Sequence, residues 1–184
     1  METLESEHSV YGTIHSVEPL GEGMRVCVDM IDFLQSDEGV LVGNTGHGYV
    51  LVLAETRATE TYPSRPFRIN CGAVHQYMKQ GERTSYLSEL VPGAMIEVYS
   101  PRGSRQVALG RIKIEKRSFV RVEIRVEDKL ISASLQNSES VHVWTEAGEA
   151  KPVTRLQSGD RVLCLMDEPG RHLGMKVTGE TIEL

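Results

Sequence analysis

The sequence predicts an all-β fold: two barrel-like β units of short, bulged antiparallel strands with few short helical turns. Three observations lead there. Glycine or proline interrupts the 184-residue chain about every ten to fifteen residues, and the segments between are short and rich in Val, Ile and Leu. Apolar residues recur with the two-residue period of strands far more often than with a helical one. Two stretches also echo each other: "YLSELVPGAMIEVYSPRG" and "VTRLQSGDRVLCLMDEPG" each carry a Leu, a Gly two or three residues later, an apolar strand and a Gly turn. Glycine there supplies the positive φ of a turn that leads into a strand.

Taken in order, strands are expected over residues 10–17, 24–29, 40–42, 49–54, 68–77 and 95–99. Further strands are expected over residues 105–116, 119–126, 129–136, 140–144, 161–166 and 175–177. Short helical turns are expected near residues 31–35 and at "SYLSEL". Residues 1–10 read as a tail and 11–184 as a β domain divisible into 11–90 and 91–184.

Alternation assigns faces to these strands. In "RSFVRVEIRV", Arg121, Glu123 and Arg125 point one way and Val120, Val122, Ile124 and Val126 the other, as in a half-solvated strand. In "GRIKIEKR", Arg111, Lys113, Glu115 and Arg117 share one face while Ile112 and Ile114 face inward. Upstream, Val107 and Leu109 are the apolar odd positions, so the parity flips and a β-bulge is expected at Gly110. That charged face is either an exposed ion-pair ladder or part of a binding cleft.

"SRPFRINCGAVHQY" repeats the device. In a regular strand Arg68 and Asn70 would oppose His75 and Tyr77. One extra residue at Cys71-Gly72 would bring all four to one face, behind a proline-stiffened approach through Arg65. Singly, each is an ordinary core or surface residue; together they call for partners, since a buried unpaired polar group costs about 1–3 kcal/mol. "LQNSES" places Gln136, Asn137 and Glu139 after an apolar strand end, as a turn or a site would. "GRHLGMK" holds Arg171 and His172 between glycines, with Lys176 downstream, a plain loop or a close backbone approach to a ligand.

Composition narrows the function classes. With 26 acidic and 20 basic side chains the net charge is −6, which disfavours a nucleic-acid surface. Aromatic residues, at 5%, are too few for base-stacking platforms. A small anionic ligand remains compatible, because a few arginines in one cleft outweigh the overall charge. Cys27, Cys71 and Cys164 are dispersed and form no CxxC pair, which predicts reduced thiols rather than a zinc site or disulfides. The opening "METLESEHSV" has no apolar run, and no stretch approaches the ~20 apolar residues of a membrane span; a cytoplasmic, non-membrane protein is expected. GxSxG, P-loop and HExxH motifs are absent, and "GNTGHG" does not match GxGxxG.

The blocks "TIHSVEPLGEGMRVCVD", "EGVLVG", "SRPFRINCGAVHQY", "YLSEL", "GRIKIEKR", "LQNSES" and "GRHLGMK" stand in the order and approximate spacing of type II 3-dehydroquinate synthases. The chain resembles the C-terminal half of that archaeal-type family, which is related to aminohydroxybenzoate-forming enzymes. The resemblance implies an enzyme of aromatic amino-acid (shikimate) biosynthesis, an NAD-dependent oxidoreductase and lyase-type cyclase. It would oxidatively deaminate an amino-dideoxy-heptulosonate and close the ring by an internal aldol step. It also implies a small anionic sugar-acid substrate, NAD, and a divalent metal such as Mn. A partner is implied too, either a separate N-terminal-half subunit of α/β type or a homo-oligomer. Arg65, Arg68, Arg111 and Arg171 are then candidates for the substrate carboxylate. His75 and His172 are candidate bases, Lys113, Asn70 and Tyr77 candidate donors to a developing oxyanion. Gln136, Asn137 and Lys176 complete the binding set, and Glu115 and Glu139 would orient a histidine or hold a metal. Two positions depart from the family pattern: Leu53 replaces a usual histidine, and Ile31-Asp32 a usual Cys-Ser pair. The alternative is a non-catalytic anion-binding module derived from the same family.

Overall fold

The computed structural model describes residues 9–168, the backbone of residues 171–172 and 175–176, and residues 181–184. The described residues are all-β, 63% strand and 4% helical, with no helix of seven or more residues among them. Among the described residues no helix is long and apolar enough to cross a membrane.

Two strands are much longer than expected. β1 (Ser9–Met30) and β8 (Gly103–Val126) each fuse two segments that the sequence analysis keeps apart. They pair antiparallel from Thr13↔Arg125 to Met30↔Leu109 and form the backbone of the molecule. Between them come β2 (Gly39–Gly43), β3 (Gly48–Glu55), β4 (Arg65–Ala73), β5 (Tyr77–Gln80), β6 (Arg83–Tyr86) and β7 (Met95–Ser100). After β8 come β9 (Lys129–Gln136), β10 (His142–Trp144), β11 (Ala150–Pro152), β12 (Arg161–Met166), β13 (Arg171–His172) and β14 (Met175–Lys176). The pairings β3–β12–β1–β8–β7–β2 close back onto β3, giving a ring of six strands. β4 bridges β1 and β3, and β9 adds to β8. All these strands belong to one continuous sheet, in which β1 and β8 each pair with several neighbours.

The echoing segments take equivalent places about the β1–β8 pair. Each begins with a 3-10 turn, Leu87–Glu89 and Val153–Arg155. Each then reaches a positive-φ glycine, Gly93 (+92°) and Gly159 (+100°). Gly93 N donates to Leu109 O while Leu109 N donates to Ala94 O; Gly159 N donates to Ile14 O while Ile14 N donates to Asp160 O. Both clasped residues flank a bulge, Gly110 in β8 and His15 in β1, where the register skips one residue. The expected flip at Gly110 is thus present. Of the two expected helical turns, "SYLSEL" holds the first 3-10 turn, and residues 31–35 form bends and open loop.

The ring encloses the core. Val26, Val28, Val40, Val42, Val50, Val52, Ile69 and Leu135 are among its fully buried members, each worth about 1.5–3 kcal/mol of burial. Leu53 lies in a second apolar cluster with Leu41, Leu51, Tyr99 and Leu163, so at this position the chain uses apolar packing. All three cysteines are free and buried.

Candidate functional site

Opposite the core face, β4, β1 and β8 set three rows of polar side chains side by side. The register aligns Arg68, Asp29 and Arg111 in one row and Asn70, Cys27 and Lys113 in the next. Arg25 and Glu115 form the third. The β1 residues share this face because they alternate with Val26, Val28 and Met30, which point into the core. Two bulges set the partner strands in phase with them. One is the expected skip at Gly110. The other lies at Cys71, where Val26 pairs with Gly72 and Cys27 with Asn70.

Over these rows lies a cavity of about 210 Å³. Its walls carry five cations, Arg25, Arg65, Arg68, Lys113 and Arg117, against two carboxylates, Glu55 and Glu115. In a chain of net charge −6 this is a local reversal of sign, of the kind that concentrates anions. Two larger hollows lack that excess. In one, of about 500 Å³, Arg105 pairs with Glu38 at 2.7 Å and Arg102 with Asp37 at 2.6 Å. In the other, of about 460 Å³, Glu123 and Glu183 offset Arg121 and Lys129.

Hydrogen bonds hold the site rigid. Arg25, only 7% exposed, donates from Nη1 to Gln136 Oε1 at 2.7 Å and from Nη2 to Glu115 Oε1 at 2.9 Å. Gln136 Oε1 also accepts from Asn70 Nδ2 at 2.7 Å. The guanidinium fixes which way the Gln136 amide faces, and Gln136 in turn fixes Asn70. Asn70 Oδ1 and Arg25 Nε are buried without a partner among the described residues. Arg117 Nη2 donates to Glu115 Oε2 at 2.9 Å; chiefly through this bond, Glu115 is held below its ordinary pKa. Asp29 takes Arg68 Nε at 2.7 Å, Arg68 Nη2 at 3.0 Å and Arg111 Nε at 2.7 Å. Burial alone would raise the Asp29 pKa, but these bonds bring it below its ordinary value. Burial lifts the Cys27 thiol to about 11, so it stays protonated at neutral pH.

The structure gathers Arg65, Arg68, Lys113, Glu115 and Gln136 at the cavity, with Asn70 directly bonded to its lining. Among the described residues Arg111 reaches only Asp29, and its side chain is 64% exposed. The convergence expected of His75 and Tyr77 does not occur. The bulge at Cys71-Gly72 is present, but β4 ends at Ala73 and residues 74–76 turn, with Gln76 N donating to Ala73 O. His75 leaves the strand and meets Asn44 Oδ1 through Nε2 at 2.8 Å. Tyr77 enters β5, where its hydroxyl donates to Glu183 Oε2 at 2.8 Å and its ring stacks on Tyr86. Asn137 and Glu139 are exposed and absent from the walls, which Ser138 and Ser140 line instead. The side chains of Arg171, His172 and Lys176 lie outside the described residues.

Sequence reasoning missed Arg25, Glu55 and the part of Arg117 in the cavity. For Arg25 the signal was present: Arg25, Cys27 and Asp29 alternate with Val26, Val28 and Met30 in the quoted "MRVCVD" and the residue after it. Glu55 ends the wholly buried strand "GYVLVLAE" and is itself 6% exposed. A carboxylate closing such a run calls for a partner.

A family model described as the 3-dehydroquinate synthase II C-terminal domain matches residues 11–184. The 3-dehydroquinate synthase of Methanocella arvoryzae is 42% identical over 93% of this chain and 46% of its own length. A 3-dehydroquinate synthase homolog of Aquifex aeolicus is 44% identical over 92% of the chain and 52% of its own. The 3-dehydroquinate synthase of Methanothermobacter thermautotrophicus is 42% identical over 100% of the chain and 50% of its own. No solved structure matches. The chain spans about half the length of the curated relatives it matches. By its matched domain and these relatives, a chain whose bulged strands gather arginines around one small cavity belongs to the 3-dehydroquinate synthase II family, as its C-terminal domain.

Proposed function

We propose that this domain holds the sugar-acid substrate of a type II 3-dehydroquinate synthase reaction of the shikimate route. An amino-dideoxy-heptulosonate is oxidatively deaminated and closes by an internal aldol step to 3-dehydroquinate. A separately supplied α/β half completes the enzyme. The observation that carries this reading is the excess of cations around a cavity of about 210 Å³ in an acidic chain. Arg117 and Lys113, half-exposed at its mouth, meet the substrate carboxylate, while Arg25, Gln136 and Asn70 form a fixed floor for its hydroxyl groups.

NAD accepts the hydride of the oxidative step when bound. Its dinucleotide does not fit here, since the cavity lies below the roughly 300–1,000 Å³ of ordinary ligand pockets. The cofactor is assigned to the N-terminal half of the family's enzymes. Among the described residues no three His, Cys, Asp or Glu side chains gather as a metal would need. Glu115 is occupied by arginines and Glu139 stands outside the walls. The described residues alone therefore do not fit a metal site.

Calorimetric titration with 3-dehydroquinate tests the reading. The domain is expected to bind it, and Arg117→Ala to weaken binding about tenfold, the scale of one charge-assisted bond at a half-exposed site. Equal affinity of wild type and variant would remove the cavity from the substrate site. Turnover of the amino sugar with NAD, only when the α/β half is added, is the matching expectation for the whole enzyme. Binding without turnover in either mixture would favour the non-catalytic module.

A further inference from the structure

We infer that Glu55, at the end of β3, is the catalytic residue that carries the proton during ring closure. This rests on the substrate reading above and names the group that does its chemistry.

The carboxylates at the site differ in how firmly arginines hold them. Asp29 is gripped by two arginines at 2.7 Å, and Glu115 by two at 2.9 Å. A carboxylate so engaged is a poor proton acceptor. Glu55 lines the same cavity, is 6% exposed, and among the described residues has only Arg65 Nη1 as ion-pair partner, at 3.7 Å. From β1 it is faced by Arg25 and Cys27, and from β4 by Arg65 and Arg68. From β8 it is faced by Lys113, Glu115 and Arg117. Burial raises its proton affinity, and the Ser140 hydrogen bond and the charges of Arg68, Arg65 and Arg25 only partly offset this. A carboxyl so poised lies closer to neutral pH than an ordinary one, as proton transfer between carbon and oxygen requires. Among the described residues the other candidates drop out. Cys27 stays a thiol, and His75 lies outside the cavity.

The step balances without any further reactant. Glu55 takes a proton from the carbon beside the substrate carbonyl, and that C–H pair forms the enolate double bond. The carbonyl π pair moves onto oxygen, whose negative charge meets the Lys113 ammonium. The enolate carbon then bonds to the second carbonyl carbon. The alkoxide formed there takes the proton from Glu55, restoring the carboxylate.

Deuterium exchange separates this step from oxidation and needs neither NAD nor the α/β half. In D2O the whole chain is expected to incorporate deuterium into 3-dehydroquinate beside its carbonyl. Glu55→Gln should slow exchange about 10²- to 10⁴-fold while binding 3-dehydroquinate no more weakly than wild type. The wild-type rate should rise with pH as Glu55 loses its proton and then level off, and that limb should vanish in the variant. Glu55→Asp, which keeps the carboxyl but withdraws it by a methylene, should keep the limb at a lower rate. It also serves if the amide variant does not fold. Exchange at the wild-type rate in Glu55→Gln, or a limb lost in Glu55→Asp, would overturn the assignment. So would wild-type binding with no exchange, which leaves the substrate reading intact. Failure of the wild type to bind at all would remove that reading, and this assignment with it.

Discussion

Gly72→Ala is expected to cost about 3–5 kcal/mol of stability, among the largest single-residue losses a domain this size shows. Two terms add. Gly72 has φ of +91°, a conformation that costs a residue with a Cβ about 1–2 kcal/mol. A Cβ there would also lie 2.4 Å from Ser134 O and 2.6 Å from Gln76 Nε2. Neither atom is free to retreat. Ser134 O belongs to β9, and Gln76 is fully buried with its amide spanning the gap that the bulge opens. Gln76 Nε2 donates to Cys71 O and Ser134 O, and Oε1 accepts from Ser134 N at 2.7 Å. The side chain stands in for the strand pairing that β4 and β9 cannot make directly. Gly81→Ala separates the two terms, since Gly81 has φ of +63° but open space around a Cβ; it should lose about 1 kcal/mol. Denaturant unfolding of both variants checks this. A Gly72→Ala loss no greater than that of Gly81→Ala would show that the bulge relaxes and is not what places Asn70 and Arg68.

That same turn explains what the sequence did and did not disclose. Parity is a local property, so both bulges, at Gly110 and at Cys71, were legible from which positions were apolar. The row Arg111, Lys113, Glu115 and Arg117 was legible for the same reason. His75 and Tyr77 were misplaced because the parity argument assumed that the strand continued past the bulge. The chain instead turns so that Gln76 can reach β9, 58 residues away. No local pattern distinguishes a glutamine in a strand from one that replaces strand pairing. Arg25 and Glu55 were passed over for a related reason. A charge inside an apolar run is improbable until its partner is known, and the partner of Arg25 is Glu115, 90 residues on. The fused length of β1 was hidden by Gly21 and Gly23, which read as a break, and that of β8 by the charged run ending at Arg117, where one expected strand stops and the next begins. In the fold Gly23 and Gly110 are ladder positions or bulges, and Gly21 carries a positive φ inside the strand.

Asp29→Ala is expected to lower stability and tighten anion binding together. Asp29 is 4% exposed and shared by Arg68 and Arg111. Removing it leaves two cations without their counter-charge, but not equally. The Arg111 side chain is 64% exposed and can turn to water, whereas that of Arg68 is 15% exposed and cannot. One uncompensated, largely buried guanidinium should cost about 3 kcal/mol, the low end of the range for a broken buried pair. The sign of the pH dependence follows from the Asp29 carboxyl, held below its ordinary pKa by the two arginines. Its contribution is complete above the ordinary carboxylate range and is lost as pH falls through the lowered value. The wild type should therefore lose its advantage over Asp29→Ala in acid, and the two unfolding curves should converge there. At neutral pH the variant's Arg68 fork, freed of Asp29, faces the cavity, and 3-dehydroquinate should bind several-fold more tightly. If affinity fell instead, the aim of Arg68 would matter more than its charge, and Asp29 would be the residue that aims it. If affinity rises as expected, the wild-type arrangement gives up binding strength for a guanidinium held in one orientation, which is what the proposed sugar-acid site would need to tell one ligand from another.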